Sequence, residues 1–429
     1  MKRLTFVIVL LVTLLLSISA SSLAARRVTL TVWQPWGGDL NERVQKVAND
    51  FMKFNPNIEV KVIFTPNLRD KLLTAIAART VPDLTYVHGS LWACELASRG
   101  VLLPLDDYLK EEGLSGGDFH PMAWQQATWE GHVYSLPGGF DPDYGFFWNK
   151  DLFAECGLDP ERPPRTIPEL DEITAKITKY DSAGNIIRLG MVPNAGGLHY
   201  ISFVFGAKLY DEAKKRFTLD HPKAVEALEW IAQNAKKYNI TKIGAFNQSY
   251  GGQQQNPFYT GALAMYPGGW WELDYLKRFA PNVRYGCTTF PIPVGGKLED
   301  AYYVESWGYA IPKGSKHPKE AFKFLKYLCA DLDVTVDISK VLLNFPALKK
   351  GIERFAVEGS DNPYHQVFVK IARSARNCLP PTPVTTLMYD EMGRACDFAM
   401  YGQKTPQQAL RDANKAVQEQ LDKVLSRKK

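Results

Sequence analysis

The chain has little of what marks several large protein classes. Its 429 residues hold six Cys, with no close pair and no CxxC, which excludes a disulfide-dense scaffold and a dithiol redox motif. Buried free thiols are the plain expectation, although export would make disulfides chemically possible. The seven His are scattered and no HExxH occurs, so no metal site is expected. GxSxG, GxxxxGK[ST] and a GxGxxG after a strand are all absent, so neither a nucleophile elbow nor a nucleotide or other cofactor is expected. Charge of one sign is lacking too. With 51 Lys+Arg against 46 Asp+Glu, net +5, the chain has no concentrated basic footprint, which excludes a nucleic-acid binder.

What is present is aromatic: 10 Trp, 20 Tyr and 22 Phe, 12% of the chain. Hydrophobic residues at 45% and charged residues at 23% are those of an ordinary globular protein of two or three domains. Lys2 and Arg3 open the chain, Leu4 to Ile18 is uncharged and mostly apolar, and Ser22-Leu23-Ala24 places small residues at a cleavage site. This is the three-part pattern of a secretory signal over residues 1–24, too short for a membrane span. The first Cys is Cys94, so no lipid anchor is expected at the new N-terminus. Cleavage removes Lys2, Arg3 and no acid, which brings the mature chain nearer neutrality. No later segment reaches 18 uncharged apolar residues. The expected location is therefore periplasmic or extracytoplasmic.

Strand and helix alternate from Val28. A strand over Val28–Trp33 precedes a helix whose apolar residues Leu40, Val44, Val47, Phe51 and Phe54 recur at steps of three and four. Asn55-Pro56 stops it, and Ile58, Val60, Val62 and Phe64 alternate as a strand. A second helix carries Leu68, Leu72 and Ile76, and Leu84–Val87 is a third strand. That is an α/β unit with a largely parallel sheet, where ligands sit beyond the carboxyl ends of the strands. Further on, Tyr144–Trp148, Ala262–Tyr266 and Ser306–Ile311 read as strands. Helices are expected over Ile167–Tyr180, His221–Tyr238, Trp270–Phe279 and Pro318–Cys329, with helical patterns dominant after Asp331. The fold class is α/β. Phe51, Phe54, Phe64, Phe147 and Trp230 lie on periodic faces and are expected in the core.

The order of short motifs carries a resemblance. Leu30-Thr-Val-Trp-Gln-Pro-Trp-Gly-Gly38 is followed by Val81-Pro-Asp-Leu84, Gly100-Val-Leu-Leu-Pro-Leu-Asp-Asp-Tyr-Leu109 and Gly131-His-Val-Tyr-Ser-Leu-Pro137. Later come Phe147-Trp-Asn-Lys-Asp-Leu-Phe153, Gly261-Ala-Leu-Ala-Met-Tyr-Pro-Gly-Gly-Trp-Trp271, Trp307-Gly-Tyr-Ala-Ile-Pro-Lys-Gly-Ser315 and Tyr401-Gly-Gln-Lys-Thr-Pro-Gln-Gln-Ala-Leu410. Over essentially the whole mature chain this resembles the extracellular solute-binding proteins of carbohydrate ABC transporters, the maltose-binding-protein-like group. The resemblance implies a bilobal periplasmic-binding-protein fold of type II, with two α/β lobes, a hinge and the ligand in a cleft. Lobe boundaries follow at 25–139 plus 289–334 and 140–288 plus 335–429. It further implies a carbohydrate ligand, an ABC permease as membrane partner, and no chemistry on the solute. A monomer is expected.

A sugar presents hydroxyls and C–H-rich ring faces, so its receptor needs aromatic planes and polar groups that replace water. Carboxylates suit this because each accepts several hydroxyl bonds. Trp270, Trp271 and Glu272 follow two glycines at a helix start, and the family's stacking Trp corresponds to Trp271. Trp36 lies between Pro35 and Gly37-Gly38. Asp39 follows, and it fits an N-cap equally well. Asn67 follows the second strand. His88 and Ser90 follow the third; in the family an aromatic and an acid lie near here, where this chain has Val87 and Ser90, which points away from a maltodextrin. Asp141 and Asp143 sit where the family chain crosses between lobes. Gly197 belongs to a Gly-broken loop, and Trp307 is a candidate cleft wall. Tyr389 falls where a family stacking aromatic sits, and Arg376 could serve hydroxyls or an anion. Arg376 alone favours a same-fold receptor for a phosphorylated polyol such as glycerol 3-phosphate. A secreted glycoside hydrolase is the rival of another class, because it too needs paired acids, and a surface adhesin without a cleft is a third.

Overall fold

Val28 to Gln34 alternates buried and part-exposed side chains as strand β1, and helix α1 follows at Gly38–Phe54. The structure, a computed structural model, describes residues 27–426. The secretory signal expected over 1–24 lies outside the described residues. Strand β2 (Ile58–Phe64), helix α2 (Leu68–Ala78) and strand β3 (Leu84–His88) complete the first βαβαβ run. Both β2 and β3 pair in parallel with β1, as Val32↔Val62 and Val32↔Leu84. These three strands run parallel because each return crosses through a helix.

Contacts divide the chain into two compact units. One runs up to Tyr86 and takes in Ile311–Tyr327; the other comprises Val87–Ala310 and Leu328–Lys429. In the first, Val44, Ala48 and Phe51 form the buried stripe of α1, and Phe51 packs edge-on against Phe324. Phe54 does not join them. It is 81% exposed: three helical steps leave it about 60° short of a full turn from Phe51, at the last residue of α1. Phe64 is also uncovered, at 48%. Two of the five expected core rings are thus surface rings, whereas Phe51, Phe147 and Trp230 are buried.

The larger unit is built on two sets of antiparallel strands. Strand β4 (Leu136–Asp143) leads through Tyr144 into β5 (Gly145–Asn149). The left-handed φ of 64° at Tyr144 makes the corner. Helix α3 covers Gly197–Val204 and α4 Pro222–Tyr238. Strand β6 (Met265–Gly268), helix α5 (Glu272–Phe279) and strand β7 (Tyr285–Thr289) follow, and β5 lies between β6 and β7. Strand β8 (Tyr303–Ala310) and the short β9 (Phe345–Pro346) flank β4. Helices α6 (Lys349–Glu358), α7 (His365–Ser374), α8 (Thr385–Met400) and α9 (Pro406–Ser426) close the chain. The core of this unit gathers Phe146, Phe153, Tyr200, Trp230 and Met388.

Pro142 inside β4 breaks the usual exclusion of proline from paired strands. It is tolerated because β9 pairs only at Phe140 and Gly139, so the chain beyond Phe140 has one neighbouring strand there and not two. All six cysteines are free.

Candidate functional site

Two cross-strand pairs create the most distinctive polar feature of the larger unit. On β8, Tyr303 faces Asp143 and Glu305 faces Asp141. Residues two apart on a strand share a face, and directly opposed residues are neighbours, so these four side chains form one two-by-two array holding three carboxyls. The Tyr303 hydroxyl donates to Glu305 Oε2 at 2.6 Å, and the Ser90 amide donates to Glu305 Oε1 at 3.3 Å. His88 Nδ1 lies 3.9 Å from the same oxygen. Gly89 permits this approach, since a Cβ there would lie 2.5 Å from Ser306 Oγ.

Aromatic side chains border the array. Tyr144 stacks on Tyr200 at 3.7 Å, and its hydroxyl lies 3.1 Å from His199 Nε2. Tyr389, 46% exposed on α8, places its ring 5.1 Å from His199. Gly196 and Gly197 both take left-handed φ, 87° and 82°. A Cβ at Gly196 would lie 2.9 Å from the Tyr200 ring, and one at Gly197 3.0 Å from His199, so the double glycine lets the loop close on these rings.

The electrostatics are those of acids without a cation. Burial, and then the Glu305 charge, pushes Asp141 up to about 7. Burial, then Asp141 and Glu305, raises Asp143 well above the usual carboxylate range. Among the described residues, no lysine or arginine is among the charges acting on either group. Burial lowers His199 to about 4, so its ring is neutral at pH 7. Burial first, and Asp143 next, raises the Tyr144 phenol. Neutral phenols and imidazole offer both donors and acceptors, and the carboxyls do so too while they hold protons.

Of the residues singled out from sequence, the structure therefore brings His88, Ser90, Asp141, Asp143, Gly197 and Tyr389 into one neighbourhood. Ser90 is committed to packing there: it is fully buried and its hydroxyl donates to the Leu379 carbonyl at 3.0 Å. Asp141 and Asp143 stand on strand β4. Tyr144, Tyr303 and Glu305 were not selected, and His199, in the Gly-broken loop, read equally as a hydroxyl donor or a plain histidine. Glu305 had a signal, as the lone acid in the otherwise uncharged run Tyr302–Tyr309. The strand expected from Ser306 starts at Tyr303, which is why its facing partners went unread.

The Trp270–Glu272 group has other surroundings. Trp270 is 5% exposed, donates its indole N–H to His365 Nδ1 at 2.8 Å and meets Phe355 edge-on at 5.2 Å. Glu272 is buried and accepts from the Tyr259 and Tyr266 hydroxyls at 2.6 and 2.7 Å. Trp271 is part-exposed, at the N-cap of α5, with its ring folded over Gly269. Trp307 is 5% exposed and covers Gly138 and Gly139, where a Cβ would come within 2.8 and 2.6 Å of its ring. Arg376 is exposed and lines two surface grooves, of about 690 and 870 Å³.

In the smaller unit, Trp36 and Asn67 lie beyond the carboxyl ends of β1 and β2. Trp36 is part-exposed with its ring edge-on to Tyr86 at 5.0 Å. Phe64 lies against Gly37, where a Cβ would be 3.2 Å from its ring. Asn67 is exposed, with a left-handed φ of 52°. Asp39 is not an N-cap; Gly37 holds that position, and Asp39 forms a solvent-exposed ion pair with Arg43 at 3.5 Å.

Residues 37–331 match the family model described as bacterial extracellular solute-binding protein. The chain belongs to this family. The location of this solute-binding protein is accordingly extracytoplasmic. Its fold is that of the type II periplasmic binding proteins. It is 30% identical to CpMnBP1, solved with mannotriose bound, with a TM-score of 0.79, 91% of this chain covered and 100% of that one. It is 24% identical over 330 residues to the maltotriose-binding protein of Pyrococcus abyssi, covering 75% of this chain and 67% of that protein. It is 25% identical over 289 residues to the sn-glycerol-3-phosphate-binding periplasmic protein of Salmonella typhimurium, covering 65% of this chain and 64% of that protein. The solute-binding protein thus spans about two thirds of these two curated relatives. The relatives are binding proteins and not enzymes.

Proposed function

We propose that this solute-binding protein captures a mono- or oligosaccharide outside the cytoplasm and hands it to the permease of an ABC importer, without altering it. The observation that carries this reading is the carboxyl–tyrosine array bordered by the part-exposed rings of Tyr144 and Tyr389. It offers hydroxyl-bonding groups beside aromatic planes, as a sugar requires. The bound sugars of CpMnBP1, mannotriose and mannobiose, support a β-linked or α-linked hexose oligomer as ligand class. Trp36 and Asn67, with the sequence-missed Phe64, are proposed as further ligand groups, and Trp271 keeps that role. Trp270, Glu272 and Trp307, whose side chains are spent on interior partners, are proposed to support the site rather than touch solute.

The proposed lobes are 25–139 plus 289–334 and 140–288 plus 335–429. A solute that touched both lobes would favour the closed state by its differential contacts. The chain is proposed to act as a monomer, released from a cleavable signal over 1–24 and carrying no lipid. Titration calorimetry against mannobiose, mannotriose, maltotriose and tagatose tests the reading. Saturable binding of one of them is expected, and silence across a broad carbohydrate panel would overturn it.

A further inference from the structure

We propose that the Asp141–Asp143–Glu305 array is a charge filter, which admits uncharged polyhydroxyl solutes and turns away carboxylated or phosphorylated ones. This rests on the sugar reading and deepens it by fixing the charge of the solute.

Three carboxyls share one face of two paired strands. Asp141 opposes Glu305, and Asp143 opposes Tyr303. The groups packed on them from other elements supply no positive charge. From the end of β3 come His88, whose ring burial holds it toward the neutral form, and the Ser90 amide. From α3 come His199, neutral at pH 7, and Tyr200, and from α8 comes Tyr389. Tyr144 lies at the corner between β4 and β5. Cys378 feels the Glu305 charge, and its thiol is raised chiefly by burial.

A hydroxyl meets this array well, since a carboxylate accepts from it and a protonated carboxyl donates to it. A carboxylate or phosphate meets repulsion, in surroundings where water screens little and no cation offsets it. An anion site normally recruits Arg, Lys or a helix N-terminus. Arg376, the candidate that favoured a phosphorylated solute, instead lines grooves to which Asp141, Asp143 and Tyr389 do not contribute.

The test is titration calorimetry of the mature chain at pH 8 with mannotriose, a mannuronate trimer and sn-glycerol 3-phosphate. Mannotriose is expected to bind, and each anion to bind at least about a hundredfold more weakly. Uronates stay charged from pH 5.5 to 8, so the trimer also reads the array's own protonation. Lowering the pH across that range should narrow the mannotriose-to-mannuronate ratio, because Asp141 gains its proton. D141N/D143N should narrow the ratio at pH 8, and it is the ratio that counts, whatever the loss of absolute affinity. Should the double variant fail to fold, the pH series on the wild-type chain decides alone. Equal binding of neutral and anionic solutes, or a ratio that neither pH nor substitution moves, overturns the filter and leaves the sugar reading standing. Binding of the anions with none of a neutral sugar overturns both.

Discussion

Asp141 is the residue whose state most affects the rest. Its folded value of about 7 stands above the 3.8 of a free side chain. Between those values the folded state binds more protons than the unfolded one, so this group's contribution is greatest at low pH. It is lost as pH rises through that window and is flat above it. Asp141→Asn should therefore be more stable than wild type at pH 8, by on the order of 2 kcal/mol. The difference should shrink toward pH 4. Urea titrations at the two pH values measure it, and a gap that does not change with pH would show that the carboxyl is not held protonated. Two tryptophans make a second contrast. Trp270, buried against His365 and Phe355, should cost about 3–5 kcal/mol when replaced by Ala. Trp36→Ala should leave melting almost unchanged while weakening sugar binding. Denaturant midpoints and calorimetry separate the two effects.

At the scale of elements, the β4–β8 pair sets the candidate site. The ladder runs in register from Tyr303↔Asp143 to Trp307↔Gly139 and shifts between Trp307 and Gly308. Gly138 and Gly139 leave room for the Trp307 ring that seats this end of the pair. Gly139→Ala places a methyl carbon where only 2.6 Å is available, so the ring or the strand must move. Overpacking of this kind costs about 1–3 kcal/mol. A lowered denaturant midpoint with an unchanged m-value is expected for Gly139→Ala, together with weaker sugar binding because Glu305 shifts with β8. The same substitution at Gly244, where nothing lies within 4 Å, should show neither effect.

For the whole molecule, six free cysteines mean that no covalent link holds the fold. Its melting temperature should be the same with and without dithiothreitol; a drop on reduction would reveal a disulfide that the structure does not contain. Bound sugar should supply the largest reversible stabilisation. At a hundred times Kd, mass action contributes about 2.7 kcal/mol, visible as a concentration-dependent rise in melting temperature. Chain order alone did not reveal the candidate site, because its groups lie far apart along the chain. Glu305 lies 215 positions from Ser90, whose amide it accepts.

The sequence by itself determined the α/β class, the parallel opening strands and the family, because periodicity and motif order are local properties of the chain. Asp141, Asp143, His88 and Tyr389 were singled out from chain position and the resemblance, and the fold brings them into one neighbourhood. Only the tertiary structure decided which aromatic rings face solvent. Phe54 and Trp270 exchanged their expected places, because burial depends on what arrives from distant segments. The three-carboxyl array was likewise invisible beforehand, since strand register, and not residue spacing along the chain, sets Glu305 opposite Asp141.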